Sequence, residues 1–346
     1  MLKNIYLYNT LKYNMNKSNL TIIIPVDDIN DTTKDTISDI NNVKKKSIPN
    51  PNNIIIKKKT GYFGVEIYNF DIKKKENKDI LQQLLDEYLV IIIKDTYLSY
   101  EDQIQLACIF GDPTLGHPVV PGNEFFPQIL EIDGSKGGKN AKWHTDVTFL
   151  ENPHSVSILI GDEIPDFGGD TLWCDMRTSY EKLSDGLKNY LNTLEAVHKI
   201  TPLAYWGEPF DYSFSPVEKM NKLYEDSTKI IPAIHPVIRI HPRTNKPSFF
   251  VNPGFTSHIL NVSCIESDHL LKLIYEHMTQ PEFVLRHRWS KNDIVIWDNK
   301  CTAHYAVNDY ELLPRKMRRV TTKGDIPFGF HSLKSRQNND LLKIIR

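Results

Sequence analysis

The stretch Trp143-His144-Thr145-Asp146-Val147-Thr148-Phe149 decides how this chain is read. In an extended segment, residues i and i+2 project from one face. His144 and Asp146 therefore present a nitrogen and an oxygen donor on the same side. A third donor from elsewhere in the chain would complete a two-His-one-carboxylate triad, the donor set that leaves open positions on Fe(II). Taken alone the pattern is weak. With 12 His and 26 Asp in 346 residues, about one His-x-Asp arises by chance, and a hydrogen-bonded surface pair accounts for it equally well.

A second stretch changes the odds. Trp297-Asp298-Asn299-Lys300-Cys301-Thr302-Ala303-His304-Tyr305-Ala306 follows the strand-like run Asp293–Trp297 and supplies His304, 160 residues after His144. Eleven and fifteen positions beyond His304 stand Arg315 and Arg319. On a strand these two share a face while Arg318 points away. Two guanidiniums beside a cationic metal need anions between them. The plainer reading of Arg-Lys-Met-Arg-Arg is a solvated basic strand.

Composition sets the frame. The net charge is −1, from 42 basic and 43 acidic residues, which excludes a chain-wide basic footprint for nucleic acid. The balance hides a split: residues 1–60 hold 10 Lys, 5 Asp and 11 Asn, a local net of +5, and the remainder carries −6. Residues 1–60 read as a low-complexity, flexible Asn/Lys-rich arm, with Ile54–Ile56 as a candidate edge strand. Residues 61–330 read as one catalytic domain and 331–346 as a C-terminal tail. Four Cys without CxxC spacing fit a reducing compartment, so a cytoplasmic setting is expected. Lys3, Lys12 and Lys17 without Arg make a mitochondrial address the poorer fit. No apolar run approaches a membrane span.

Asp79–Tyr88 and Tyr100–Phe110 have helical spacing, and Tyr88–Ile93 reads as a buried strand. Gly111–Pro127 reads as a loop. Thr178-Ser-Tyr-Glu181 fits a capping box opening a helix toward Leu194, and Ser263-Cys-Ile-Glu266 fits another reaching His277. Strands are expected at Gln128–Ile132, Ser155–Ile160, Ala196–Ile200, Pro236–Ile240, Phe249–Val251, Phe283–Trp289, Asp293–Trp297 and Met317–Thr322. The expected fold is mainly β with helical insertions.

The segments Trp143–Phe149 (WHTDVTF), Gly168–Trp173 (GGDTLW), Phe250–Phe255 (FVNPGF), Asn292–Asn299 (NDIVIWDN) and His304–Tyr310 (HYAVNDY) together resemble the taurine dioxygenase family. Its members are Fe(II)- and 2-oxoglutarate-dependent dioxygenases. The resemblance covers about residues 61–330 and implies a double-stranded β-helix, a cupin-like jelly roll. It implies His144, Asp146 and His304 as iron ligands, and Arg315 and Thr171 as partners of the distal carboxylate of 2-oxoglutarate. It implies Arg319, His117 and the backbone amide of Val147 as contacts of a substrate sulfonate, with Asn140 and Phe255 beside them.

Elementary chemistry agrees with these roles. Arg grips a carboxylate bidentately better than Lys does, and a threonine hydroxyl donates one further bond. A sulfonate offers three acceptor oxygens and is costly to bury without donors. The resemblance implies hydroxylation, with O₂ as second cosubstrate, of the carbon next to sulfur in taurine or an alkyl sulfonate. That adduct releases sulfite and an aldehyde, alongside succinate and CO₂. One departure bears on substrate: Val120 stands where the taurine enzymes carry Tyr, three positions after the loop histidine. Longer alkyl sulfonates or alkyl sulfate esters therefore come forward, with aryloxyalkanoates as a further alternative. A non-catalytic anion-binding protein is the competing class, and the complete triad argues against it. The expected partner is a small anion, with neither nucleic acid nor membrane; a homo-oligomer, dimer or tetramer, is compatible with all of this.

Overall fold

The structure is a computed structural model that describes residues 12–16, 19–23 and 54–338, apart from 73, 75, 119, 135–140, 201–228 and 312. Strands β1 (Lys12–Asn16) and β2 (Asn19–Ile23) form a hairpin. From β3 (Ile55–Lys58) onward the chain builds one β-rich body.

Its largest sheet takes β3 at one edge, then β4 (Val65–Tyr68), β5 (Val90–Ile93), β15 (Ile294–Asp298), β7 (Val156–Glu163), β17 (Lys316–Thr321) and β6 (Leu130–Asp133). Only the β4–β5 pairing in this sheet is parallel. Against it lies a three-stranded sheet of β14 (Val284–His287), β8 (Thr171–Asp175) and β16 (Thr302–Ala306). Four further strands, β9 (Glu195–His198), β10 (Ala233–Pro236), β13 (Thr256–Ile259) and β18 (Arg336–Gln337), pair in a sheet of their own. The short pair β11 (Ile238–Ile240) and β12 (Pro247–Phe249) completes the β structure.

Strand alternation explains why the central strands read as unbroken apolar runs. Ile91 and Ile93, Ile158 and Ile160, and Ile294 and Ile296 face one way, into a core shared with α1 (Glu76–Tyr88) and α2 (Tyr100–Ala107). Val90 and Ile92, Leu159, and Val295 and Trp297 face the other way, against Trp173 of β8 and Leu285 of β14. Both faces of the large sheet are thus covered, so neither set of alternating positions is predominantly polar along these runs. This two-sheet packing is the jelly-roll architecture that the resemblance implied.

Two helix starts test the capping argument. Ser263 and Glu266 form a complete capping box at α5 (Cys264–Met278), as expected. The Thr178 reading is corrected. Asp175, not Thr178, caps α3 (Met176–Glu181): its carboxylate accepts from the Arg177 and Thr178 amides at 2.9 and 2.8 Å. The Thr178 hydroxyl donates to the same carboxylate at 2.6 Å, which leaves it no capping role of its own. The helix ends at Lys182, and α4 (Asp185–Leu191) starts afresh behind Ser184. The span Pro236–Ile240 is likewise two strands rather than one, parted at Val237, whose amide turns to Leu194 O.

Candidate active site

His144 and His304 meet through their backbones. His144 N donates to His304 O at 3.0 Å and His304 N to His144 O at 2.7 Å, an isolated antiparallel bridge. This pairing carries the two rings to 4.0 Å between centroids. Asp146, two residues on, places Oδ1 3.9 Å from His144 Nε2 and 3.8 Å from His304 Nε2. The three donor atoms lie within 4.8 Å of one another, and all three side chains are buried.

Each donor is oriented. His144 Nδ1 lies 2.8 Å from the Lys142 carbonyl, which only accepts, so Nδ1 carries the proton and Nε2 presents its lone pair. The His304 ring is held between His144 and Trp297, whose ring centroid is 5.0 Å away. Burial pushes both imidazoles below their ordinary value and keeps them neutral. Burial opposes ionisation of Asp146, yet the Arg319 guanidinium beside it holds its carboxyl well below the usual carboxylate range. Two neutral imidazoles and one carboxylate are the donor chemistry that suits Fe(II).

Residues outside the expected set hold the triad in place. Ser157 Oγ donates to Asp146 Oδ2 at 2.9 Å and so turns Oδ1 toward the histidines. Asn299 clamps the Asp146 backbone from both sides: its Oδ1 accepts from Asp146 N, and its Nδ2 donates to Asp146 O, each at 3.2 Å. Asn299 follows Asp298, a buried carboxylate tied to Lys300 Nζ at 2.9 Å and to His241 Nε2 at 2.9 Å. His241, Asp298 and Cys301 also have their donor atoms close together. There the Lys300 ammonium supplies the positive charge, and two backbone amides occupy His241 Nδ1; the group is a buttress of the Asn299 turn. Gly254 lets the FVNPGF segment approach closely, since a Cβ there would lie 2.7 Å from His144 Cβ. Val147 has φ 49, a left-handed backbone that costs a β-branched residue about 1–3 kcal/mol.

One cavity of about 810 Å³ is lined by His117, His144, Asp146, Val147, Thr171, Phe255, His304, Arg315 and Arg319. Nine of the ten residues singled out from the sequence therefore converge. The tenth, Asn140, lies outside the described residues. Thr171 Oγ1 accepts from Trp289 Nε1 at 2.9 Å, which leaves its own proton free to donate. Arg315 Nε donates to Gly169 O at 3.1 Å. Arg318 pairs with Asp162 at 2.9 Å and lies over the Tyr100 ring, and these three residues line another part of the same cavity. Val120, Leu130, Leu159 and Met317 line an apolar part of the same cavity.

A jelly-roll sandwich with a buried His-Asp-His donor set defines the class of mononuclear iron oxygenases. Residues 56–321 match the model of the Taurine catabolism dioxygenase TauD, TfdA family, and the chain belongs to that family. It is accordingly a 2-oxoglutarate-dependent dioxygenase that uses Fe(II) and O₂. The chain is 35% identical over 285 residues to an alkylsulfatase of Acinetobacter baylyi, covering 81% of this chain and 88% of that protein. It is 34% identical over 259 residues to an alpha-ketoglutarate-dependent sulfate ester dioxygenase of Pseudomonas putida, covering 75% and 84%. The crystal structure of a taurine dioxygenase from Burkholderia xenovorans superposes with a TM-score of 0.70 at 32% identity, covering 83% and 95%.

Proposed function

We propose that this enzyme oxidises the carbon that bears the sulfate group of an alkyl sulfate ester, or the sulfonate group of an alkyl sulfonate, whose tail is longer than that of taurine. The observation that carries the reading is an anion cradle beside the donor triad that opens onto an apolar wall. Arg319, His117 and Val147 line one cavity with His144, Asp146 and His304. Val120, Leu130, Leu159 and Met317 supply the apolar surface. The nearness of alkyl sulfate enzymes among the relatives supports the same choice.

In this reading His144, Asp146 and His304 hold the iron. Iron with 2-oxoglutarate and O₂ supplies hydroxylation of a C–H bond, coupled to decarboxylation of the keto acid to succinate and CO₂. Arg315 and the Thr171 hydroxyl fix the distal carboxylate of 2-oxoglutarate. Arg319, His117 and the Val147 amide fix the sulfur oxyanion, so that the carbon carrying it faces the triad. Phe255 and Val120 close over the tail and keep water out. The hydroxylated carbon then collapses to an aldehyde, with the electron pair of its bond to oxygen or sulfur leaving as sulfate or sulfite. Among the described residues no helix is long and apolar enough to cross a membrane.

The test is product analysis with purified enzyme, Fe(II), ascorbate and 2-oxoglutarate. Hexyl sulfate should yield succinate, hexanal and sulfate in equal amounts; hexanesulfonate should yield sulfite instead. Succinate release without any sulfur oxyanion would overturn the reading.

A further inference from the structure

The HYAVNDY segment contributes more than His304. After that histidine the chain leaves β16 and returns past the Gly168-Gly169-Asp170 turn, and Asp309 stands at the contact. Although its side chain is 46% exposed, Asp309 directs Oδ1 inward, where it accepts from Gly169 N at 2.8 Å. On the other side of the same turn, Gly169 O accepts from Arg315 Nε at 3.1 Å. Both glycines have φ +68, and this left-handed backbone lets the turn present an N–H to Asp309 and a carbonyl to Arg315. Neither can carry a side chain here. A Cβ on Gly168 would collide with Asp309, and one on Gly169 would lie 2.9 Å from Arg315 Cδ.

The turn is stapled further. Asp170 O accepts from Val307 N at 2.9 Å, and Arg286 bridges Asp170 at 2.7 Å and Asp309 at 3.6 Å. Arg315 is buried, with Nε fixed by the Gly169 carbonyl and the plane of its fork set beside the Tyr310 ring at 5.7 Å. A guanidinium holds a carboxylate bidentately only when that plane is correct. A half-exposed aspartate in a turn is ordinarily solvated. Here it fixes a peptide whose opposite face aims the arginine.

Resting on the reading of Arg315 as the 2-oxoglutarate arginine, we propose that Asp309 is a positioning residue for the cosubstrate, acting through the Gly169 peptide. The chain thus carries a three-part relay, Asp309 to Gly169 to Arg315, built from two motifs that lie 140 residues apart.

The experiment measures 2-oxoglutarate and hexyl sulfate binding by calorimetry on Zn(II)-loaded protein, with thermal unfolding in parallel. Asp309→Ala should raise the 2-oxoglutarate Kd roughly tenfold, the scale of one lost supporting hydrogen bond. Hexyl sulfate binding and the melting temperature should stay near wild type. Asp309→Asn keeps an acceptor for Gly169 N and should restore most of the affinity. An unchanged 2-oxoglutarate Kd in folded Asp309→Ala would overturn the relay. So would an Asn variant as weak as the Ala variant, because charge toward Arg286 would then be the cause. If Asp309→Ala fails to fold, Asp309→Asn and Asp309→Ser decide: the relay requires Asn to bind 2-oxoglutarate near wild type and Ser to bind more weakly. Arg315→Ala separates the two levels, since an unchanged Kd there removes the reading of Arg315 itself.

Discussion

Arg319 Nη1 lies 2.8 Å from Asp146 Oδ1, the carboxylate oxygen that also faces His144 and His304. Both side chains are largely buried, and their opposite charges are in direct contact with each other. On the proposed function the arginine has two claims on it: the carboxylate of the donor triad and the substrate anion. A divalent ion held by the triad would take up the carboxylate charge and leave the guanidinium available to the anion. Hexyl sulfate should accordingly bind Zn(II)-loaded protein at least about tenfold more tightly than metal-free protein, a coupling of about 1.4 kcal/mol. Linkage requires the reverse as well: hexyl sulfate should tighten Zn(II) binding by the same factor. Calorimetry in both orders measures this, and equal affinities would show that Arg319 does not mediate between the two sites.

Ser157 makes the second prediction. Its hydroxyl holds Asp146 Oδ2 at 2.9 Å, which selects Oδ1 as the atom turned to the histidines. Outer-shell partners of metal ligands typically affect metal affinity by about 10–100-fold. Ser157→Ala should weaken Zn(II) or Co(II) binding on that scale while the fold persists, because the position lies within the apolar, buried run Val156–Ile160. A competition assay with a chromophoric chelator reads it. Unchanged metal affinity would mean that Asn299, through its backbone clamp, is sufficient to orient Asp146.

What the sequence made legible follows from how local each feature is. The capping box at Ser263 was readable because all its partners lie within four residues. The strand runs were readable because burial on both faces leaves continuous apolar stretches. Strands β8 and β16 were not foreseen: Thr171–Asp175 and Thr302–Ala306 mix polar with apolar residues and show no continuous apolar run. The helix at Thr178 was misread because Asp175, a better cap, stood three residues earlier. Within the site, the residue types for metal and anions stood in recognisable motifs. Their supports did not, because each is a contact across great sequence distance. Ser157 gave only the faint signal of one hydroxyl inside a buried run, and Asp309 gave none until the Gly169 peptide was seen between it and Arg315.

Val120 supports a prediction on chain length. It lines the cavity with Pro121, Leu130 and Leu159. Each buried methylene contributes about 0.8 kcal/mol, so kcat/KM should rise roughly threefold to fourfold per carbon along a series of alkyl sulfates until the wall is filled. Val120→Tyr adds a ring and a hydroxyl there. It should flatten the series at the long end and leave ethyl sulfate nearly unaffected. A parallel loss at every chain length would mean that residue 120 acts on the anion cradle rather than on the tail.

Buried histidines, outside the triad as well as in it, make the metal-free fold sensitive to acid. His235 Nε2 lies 2.7 Å from Thr148 O and its Nδ1 2.6 Å from Ser335 Oγ, while His198 lies 2.9 Å from the Thr148 hydroxyl. Burial lowers His235 to about 3 and His154 to about 4, and pushes His198 and His117 well down as well. In the unfolded chain these groups return to about 6.5. Between the folded and unfolded values the unfolded chain binds more protons, so stability rises with pH. The contribution is complete above about pH 6.5 and is lost as pH falls toward 4 and then 3. Asp175, whose carboxyl burial pushes up, acts in the opposite sense and offsets part of the loss nearer the carboxylate range. Below pH 6.5 each such histidine costs up to about 1.4 kcal/mol per pH unit. The urea midpoint of metal-free protein should therefore fall between pH 7.5 and 5.5. His235→Gln removes one of the titrating rings and should give a shallower fall, even if its midpoint at pH 7.5 is lower. Parallel slopes for the two proteins would show that His235 takes up no proton on unfolding in this range.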